Sequence, residues 1–314
     1  MTKSRRYVTK SMLRLLTSIH RPEQNVNDRL TLNLRDVRRR FDTAAANFDS
    51  ADFVHAVTRE GLFARLSPLV IDAKRILDLG SATGSAGVQL HKRFGGAHII
   101  SLDISHNMLG KSRHKRSWFS FSRSSYVQAN ASGLPFRDQS IDFVFSNLLL
   151  PFVDKPELVF EQVARVLRKG GVFTFATLGP DSLREIRRAW SHVDDQVHVN
   201  RFLDMHDIGD ALVRSGLRDP VLDVDRLAVQ YGDATRLFDD LTNVGARNAL
   251  RQRNRSLVGK RRFNKMVGAL ADNPCDGTIK LDLELVYGHC WGGGARMDPA
   301  SIAIDASHIP RRRG

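Results

Sequence analysis

Short apolar runs alternate with helical patterns through the middle of this 314-residue chain. Residues 75–79 form an apolar run that is closed by Gly80, and residues 85–94 then carry apolar side chains at the spacing of a helix. A second apolar run, 98–102, ends at Asp103. Runs of this length and period predict a strand, a tight turn, a helix and a second strand. This is the order of a parallel βαβ unit.

Further apolar runs continue the alternation towards the C-terminus. Helical patterns separate most of them, which favours a mostly parallel sheet with helices on both faces. Before the first strand, the segments around Phe41 and Phe53 carry apolar residues at helical spacing, and the first of them predicts a close-packed lid. The later predicted strands, which complete a seven-stranded sheet, are the run ending near Asn130 and residues 141–147, 172–177, 221–231 and 279–287.

The turn after the first strand reads Gly-Ser-Ala-Thr-Gly, residues 80–84. A dinucleotide site favours G-x-G-x-x-G, because glycines let the backbone approach a pyrophosphate. Ala82 stands at the middle position here, so a nucleoside without phosphates fits better. Asp103 lies where an acidic residue commonly holds ribose hydroxyls, and Asp78 suits a cation. S-adenosylmethionine has a ribose, an ammonium and a carboxylate for the turn amides, and it is the predicted cofactor. On this motif alone, the alternative that residues 80–84 are only a structural tight turn in an α/β domain is not excluded.

Three further motifs follow the turn in order. They are L-P-F at 134–136, D-x-V-x-S-N at 142–147 and L-R-x-G-G at 167–171. With Asp103, they make residues 75–180 resemble the class I S-adenosylmethionine-dependent methyltransferases. The resemblance implies a Rossmann-like α/β fold, with a seven-stranded mostly parallel sheet, helices on both faces and an added α-helical lid. The cofactor-binding residues that it implies are Asp78, Gly80, Ser81, Gly84, Asp103, Ile104, Met108, Asn130, Ala131 and Asn147.

Composition and charge limit the cellular compartments and the kinds of partner that are expected for this chain. The net charge of +14 predicts attraction to an acidic partner, whether nucleic acid, an anionic membrane or a protein. No apolar run approaches the ~18 residues that would span a bilayer. Cys275 and Cys290 are the only cysteines, which favours a reducing, cytoplasmic location. The histidines lack a Cys cluster or carboxylates at ligand spacing, so no metal is expected.

Segments outside the cofactor turn resemble one family within this superfamily. The chain reads F-x-x-A-A-x-x-F-D at 41–49, T-L-G-P-D-S-L-R-E at 177–185, H-V-N-R-F-L at 198–203, V-G-A-R-N at 244–248 and L-V-Y-G-H-C-W at 285–291. These motifs are similar to those of the malonyl-[acyl-carrier protein] O-methyltransferases of biotin synthesis. The resemblance implies methylation of the free carboxylate of a malonyl thioester, with an acidic acyl-carrier protein as a transient partner.

Carboxylate methylation needs orientation more than proton transfer, because the acceptor is already ionised at neutral pH. A guanidinium is suited to hold such an anion, and Arg201 and Arg184 are the candidates. Phe48 stands where the family commonly has a tyrosine near the methyl donor, and it is the third candidate catalytic residue. Ser81 and Ala82 replace a Cys-Gly pair that is usual in the family turn.

The chain is predicted to hold one methyltransferase domain between two terminal segments. The first segment is basic and reads as a flexible arm, although a transit peptide would look similar. The boundaries are 1–36 for the arm, 37–291 for the domain, 75–180 for its cofactor core, 181–204 and 234–270 for its substrate lid, and 292–314 for a C-terminal tail.

Three alternative functions stay open at this level. A nucleic-acid methyltransferase is favoured by the charge, but Asn147 is followed by Leu-Leu-Leu-Pro-Phe and not by the N-P-P-aromatic motif of base N-methylation, so nucleic acid is disfavoured without being excluded. A respiratory-complex assembly factor of the same fold is similar at F-D-x-x-x-x-x-F-D and L-G-P-D-S-L. A degenerate fold that only binds the cofactor is permitted by Ala82.

Overall fold

The computed structural model describes residues 31–115, 123–253, 258–271 and 278–294. Its strands are β1 (Arg75–Leu79), β2 (His98–Asp103), β3 (Ser124–Gln128), β4 (Ile141–Asn147), β5 (Leu167–Leu178), β6 (Leu217–Tyr231) and β7 (Ile279–Gly292). Its helices are α1 (Leu34–Ala44), α2 (Phe48–Ala51), α3 (Phe53–Arg65), α4 (Ser85–Arg93), α5 (His106–Lys115), α6 (Pro156–Val166), α7 (Arg184–Ser191), α8 (Met205–Arg214), α9 (Ala234–Asn243) and α10 (Lys260–Leu270), with a 3₁₀ turn at Leu150–Phe152.

The seven strands form one sheet in the order β3-β2-β1-β4-β5-β7-β6. Strands β1 to β5 are parallel, and β7 runs antiparallel to both of its neighbours. The central strands are buried on both faces because helices cover both sides, whereas the edge strand β6 alternates between more and less exposed positions. The predicted seven-stranded, mostly parallel sheet is confirmed.

Two hydrophobic clusters hold the helices on opposite faces of this sheet. On one face, Phe160 of α6 and Leu212 of α8 pack with Phe173 and other residues of β5. On the other face, Leu62 of α3 and Leu90 of α4 pack with apolar residues of β1 and β4. All of these side chains are fully or almost fully buried, so burial of apolar surface fixes the helices against the sheet.

A third cluster extends the fold beyond one end of the sheet. Helices α7, α9 and α10 meet there over the ends of β6 and β7. Trp190 of α7, Leu237 of α9 and Met266 of α10 are buried together against Leu281. This layer contains much of the two segments that the sequence assigned to a substrate lid.

Several boundaries differ from the predicted ones. Helix α1 begins at Leu34, inside the predicted arm, because the side chain of Asn33 caps it by accepting the N–H groups of Arg35 and Asp36. Just before it, Leu32 forms a bridge with Leu250. Strand β5 begins at Leu167, ahead of the predicted start at residue 172, and so includes residues 168–171. Most of the predicted arm and tail lies outside the described residues.

No helix in the described ranges combines the length and the apolar character that crossing a bilayer requires.

Candidate cofactor and acceptor site

The turn between β1 and α4 is tied to the end of β2 by its own backbone. The N–H groups of Gly80 and Ser81 both donate to the carbonyl of Leu102, at 2.8 and 3.0 Å, and the N–H of Gly84 donates to the Ser81 carbonyl at 2.9 Å. Gly84 has φ +82°, a conformation that favours glycine. The sequence assigned the turn amides to the carboxylate of the cofactor, but the structure uses these three within the protein. These three amides are therefore not free to bind that carboxylate.

Asp103 holds the middle of the turn. Its Oδ2 accepts the N–H of Ala82 at 2.9 Å, and its Oδ1 accepts the N–H of Ser105 at 2.8 Å. Ala82 has φ +45°, which costs a residue with a Cβ about 1–2 kcal/mol, so this bond holds a strained residue. Burial raises the pKa of Asp103 to about 6, although the backbone donors oppose the change. Each carboxylate oxygen keeps a second lone pair, which can accept a ribose hydroxyl.

Asp78 and Arg59 are two charged residues with buried polar atoms that lack described hydrogen-bond partners. Asp78 is 2% exposed, and its Oδ2 has no hydrogen-bond partner among the described residues. Burial and then the charge of Asp103 raise the pKa of Asp78 to about 7, against the opposing charge of Arg59. Arg59 approaches Asp52 to 3.7 Å through Nη1, while its Nε is buried and has no described partner. Both groups can therefore bind a ligand that carries opposite charges.

Further buried polar atoms at this edge of the sheet lack described partners. Asn147 donates through Nδ2 to the carbonyl of His55 at 2.9 Å, but its Oδ1 has no partner in the described part of the chain. The same holds for Ser81 Oγ and His55 Nδ1. Buried polar groups without partners are rare, so their concentration beside Asp78 indicates a polar ligand. Burial, followed by the charge of Arg59, lowers the pKa of His55 to about 4, which keeps its ring neutral at pH 7.

The sequence-predicted cofactor residues lie along the carboxyl ends of β1 to β4. Met108 is fully buried in the first turns of α5, and Ala131 is buried in the loop after β3. Ile104 accepts a hydrogen bond from the side chain of Gln128 through its carbonyl at 3.1 Å. Asn130 is exposed, and its Oδ1 accepts the N–H of Ser132 at 3.1 Å. The fold thus brings all ten residues to one edge, and their individual contacts with the cofactor stay predictions.

Two aspartates attach the N-terminal helices to this edge. Asp42 of α1 accepts the hydroxyl of Ser105 at 2.6 Å. Asp49 of α2 accepts the hydroxyl of Thr83 at 2.5 Å and the ammonium of Lys115 at 2.7 Å. Burial raises the pKa of Asp49, but these two donors outweigh it and the net pKa is lowered. The repeated Phe-Asp pair at 41–42 and 48–49 was the available sequence signal, and its aspartates were not identified as functional residues.

Phe48 lies between these helices and the cofactor edge. Its side chain is 3% exposed, and its ring meets the ring of His55 with centroids 4.9 Å apart. Met108 and Val244 belong to the same apolar cluster. Sequence reasoning singled out Phe48 but missed His55 and Arg59, although their spacing of four residues places them on one face of α3.

A mainly apolar cavity of about 90 Å³ adjoins this edge. Its polar side chains are those of His55, Tyr231 and Asp240. Burial raises the pKa of Tyr231 to about 12, helped by the charge of Asp240 and by a hydrogen bond to it. The hydroxyl of Tyr231 therefore stays protonated. The lining residues are Ala51, Phe53, Val54, His55, Leu148, Pro151, Phe152, Leu178, Leu183, Val229, Tyr231, Leu237, Asp240, Leu241, Val244, Ala246, Leu281 and Leu283.

Two lining residues, Leu148 and Leu183, adopt left-handed backbone conformations with φ +56° and +59°. Such conformations are costly for a leucine, and they tend to occur where a binding site constrains the chain. Leu148 directly follows Asn147, so the cavity begins where the row of unpartnered polar atoms ends. The arrangement is suited to an acceptor that lies in an apolar cavity beside a polar cofactor.

The two arginines predicted to orient the acceptor lie outside this lining. Arg184 is exposed, and its guanidinium bonds to Glu185 at 3.1 Å and to Asp282 at 2.9 Å. Arg201 lines a second pocket of about 520 Å³, which shares Pro151 with the cavity. Neither guanidinium is placed to meet an acceptor inside the cavity in this conformation, and their roles stay predictions.

No group of three or more His, Cys, Asp or Glu side chains within the described residues is arranged to hold a metal ion.

Comparison with known proteins agrees with this site. The methyltransferase domain family matches residues 77–175, which include the cofactor turn. The YcgJ protein of Bacillus subtilis is 14% identical and covers 76% of this chain and 99% of its own, with a TM-score of 0.55. Phosphoethanolamine N-methyltransferase 2 of Haemonchus contortus, solved with S-adenosylmethionine, is 17% identical over 83% of this chain and 60% of its own, with a TM-score of 0.52. These structures share the fold.

Relatives with named activities match over nearly the whole chain. The malonyl-[acyl-carrier protein] O-methyltransferase of Laribacter hongkongensis is 38% identical over 83% of this chain and 90% of its own length. That of Halorhodospira halophila is 35% identical over 92% and 99%. The predicted methyltransferase class and the S-adenosylmethionine cofactor are confirmed by these matches. The chain belongs to the malonyl-[acyl-carrier protein] O-methyltransferase family.

Proposed function

We propose that this protein transfers the methyl group of S-adenosylmethionine to the free carboxylate of a malonyl group carried on acyl-carrier protein, a reaction of biotin synthesis. The similarity to malonyl-[acyl-carrier protein] O-methyltransferases over more than four fifths of the chain carries the proposal. The apolar cavity beside the cofactor edge supports it, because a short acyl thioester fits such walls better than a nucleobase or a protein backbone does.

The unpartnered polar atoms fit the amino-acid part of the cofactor. Asp78 would receive its ammonium and Arg59 its carboxylate, which takes the place of the turn amides. Asp103 would receive the ribose hydroxyls through its remaining lone pairs. S-adenosylmethionine supplies a methyl group that is activated by a sulfonium. The charge of the cofactor would lower the pKa of Asp78 and keep its carboxylate ionised in the complex.

The acceptor side of the site needs no strong base. A malonyl carboxylate is ionised at neutral pH, so displacement depends on alignment and on exclusion of water. Phe48 and Leu148 exclude water at the junction between cofactor and cavity. The neutral ring of His55 carries one N–H group that can hold the anion, whereas the hydroxyl of Tyr231 already donates to Asp240. Arg201 and Arg184 remain candidates for guiding the acceptor from the surface.

The net charge of +14 suits binding of an acidic partner such as acyl-carrier protein. Acyl-carrier proteins are acidic, so opposite charges would speed their encounter with this surface. This attraction explains the basic composition without nucleic acid.

The test is incubation of purified protein with methyl-labelled S-adenosylmethionine and malonyl-carrier protein. We expect a base-labile methyl ester on the carrier protein. Acetyl-carrier protein is the matched control, because it keeps the thioester and lacks the free carboxylate. Labelling of both carrier proteins, or of neither, would contradict the proposal.

A further inference from the structure

The start of α1 and the segment 247–253 form a common surface. The N–H of Asn33 donates to the carbonyl of Ala249 at 2.9 Å, and the N–H of Arg251 donates to the carbonyl of Thr31 at 2.7 Å. Two short backbone segments that are distant in sequence therefore run side by side, and both are rich in arginine. Their side chains bring positive charges together.

Arg40 of α1 lies close enough to the other arginines of this surface to be affected by their charges. It is half-buried, and its Nη1 is buried without a hydrogen-bond partner among the described residues. Burial and the nearby charges of Arg253 and Arg247 lower the pKa of Arg40 to about 10, and Asp36 opposes them. Arg253 lies 2.7 Å from Asp36 and also donates to the carbonyl of Leu250 at 3.0 Å. Among the described residues, the carboxylate of Asp36 is the charge that opposes these guanidinium groups, and Nη1 of Arg40 keeps a donor that no described residue accepts.

Such an arrangement favours an anion. A buried guanidinium donor that bonds to nothing is costly, and arginines gathered without enough carboxylates repel one another. A phosphate would satisfy both conditions, since it offers several acceptor oxygens and at least one negative charge.

The arginines adjoin the acceptor cavity. Ala246 lines the cavity and is followed by Arg247. On α1, Arg40 is followed by Phe41, whose ring packs edge-on against the ring of Phe152, another lining residue, with centroids 4.9 Å apart. Arg247 is exposed and directly follows a lining residue, whereas on α1 the cavity wall is reached through the contact between Phe41 and Phe152.

We propose that Arg40, Arg247 and Arg253 form a phosphate-binding site for the arm that carries the acceptor. The inference rests on the proposed function, because a malonyl group on acyl-carrier protein is attached through a pantetheine arm with a phosphodiester at its outer end. A phosphate at the surface and a thioester in the adjoining cavity are the two ends of such an arm. The site would fix the arm while the carboxylate lies beside the methyl donor.

The experiment compares two small acceptors, malonyl-4′-phosphopantetheine and malonyl-pantetheine, which differ only in the phosphate. For the unaltered protein we expect the phosphorylated acceptor to have a KM about tenfold lower, equivalent to about 1.4 kcal/mol. Arg40→Gln should remove most of this difference by raising the KM of the phosphorylated acceptor alone. Arg218→Gln, which removes the same charge from an exposed position on β6, is the matched control and should keep the difference.

Direct binding separates this inference from the proposed function. Calorimetry with 4′-phosphopantetheine and with pantetheine needs no methyl transfer, and we expect a preference for the phosphate that Arg40→Gln abolishes. If neither malonyl compound nor malonyl-carrier protein is methylated, the proposed function fails and calorimetry alone decides the site. Equal affinity for the two compounds, an equal loss for both in Arg40→Gln, or a loss confined to the intact carrier protein would overturn the phosphate site.

Discussion

The buried carboxyl of Asp78 gives the sharpest test of the site. Its pKa is about 7 in the folded protein against an ordinary value of 3.8. Between these two pH values the unfolded chain is ionised at this residue while the folded chain holds the proton, so the folded state loses stability as pH rises. The loss reaches about 4 kcal/mol above pH 7 and then stays constant.

Asp78→Asn removes this ionisation and keeps the shape of the side chain. The free energy of unfolding of the variant, relative to the unaltered protein, should therefore increase by about 2 kcal/mol between pH 5.5 and pH 8. Urea unfolding at the two pH values, without cofactor, measures the change. The variant should also lose most of the thermal shift that S-adenosylmethionine gives the unaltered protein, because the ammonium of the cofactor has lost its carboxylate.

Asp195→Asn is the control, since Asp195 is exposed and the same substitution there should change stability by less than about 0.5 kcal/mol at either pH. An equal dependence on pH in Asp78→Asn and in the unaltered protein would show that the folded protein does not hold a proton on Asp78. A full thermal shift with S-adenosylmethionine in the variant would refute the assignment of the ammonium to this carboxylate.

Three further outcomes are expected. Asp49→Asn should weaken S-adenosylmethionine binding about threefold in calorimetry, because the half-exposed pair with Lys115 that holds α2 on the turn is worth less than about 1 kcal/mol; unchanged binding would refute this role. Gly84→Ala should lower the free energy of unfolding by at least ~2 kcal/mol, because Gly84 has a positive φ and an added Cβ would collide with Ser112. Gly110→Ala, the control in an open helical position, should raise the free energy of unfolding by up to about 1 kcal/mol. Equal effects of the two substitutions would contradict the role given to the Gly84 backbone. The KM for malonyl-carrier protein should rise steeply with salt, and a flat dependence would exclude electrostatic docking.

The sequence by itself determined the sheet and the cofactor edge. The strands around Gly80 and Asp103 follow from short apolar runs and a glycine turn, which are local signals. The ends of adjacent parallel strands meet at one edge, which predicts that Asp103 lies beside the Gly80 turn, and the resemblance to the methyltransferases added residues as distant as Asn147 to that edge. The prediction of the methyl acceptor came from the family motifs, because hydrophobic periodicity does not indicate the role of the segments that contain them.

Only the tertiary structure decided what the side chains at that edge do. The turn amides of Gly80 and Ser81 donate within the protein, and this depends on how closely β2 packs beside β1. Arg184 was predicted to reach the acceptor, but its guanidinium pairs at the surface with Asp282, a residue of a distant strand. Contacts of this kind depend on packing between separate elements, and hydrophobic periodicity carries no information about them.

The same reason explains what sequence reasoning missed. Arg40 and Arg253 are more than 200 positions apart, and each alone reads as an ordinary surface arginine. Asp49 reads as a helix residue until the fold places Thr83 and Lys115 against it. Local patterns therefore established which elements form and predicted which edge binds the cofactor. The charges and unpartnered donors that give that edge its chemistry arose only when distant segments packed together, because burial and partner choice are properties of the folded chain.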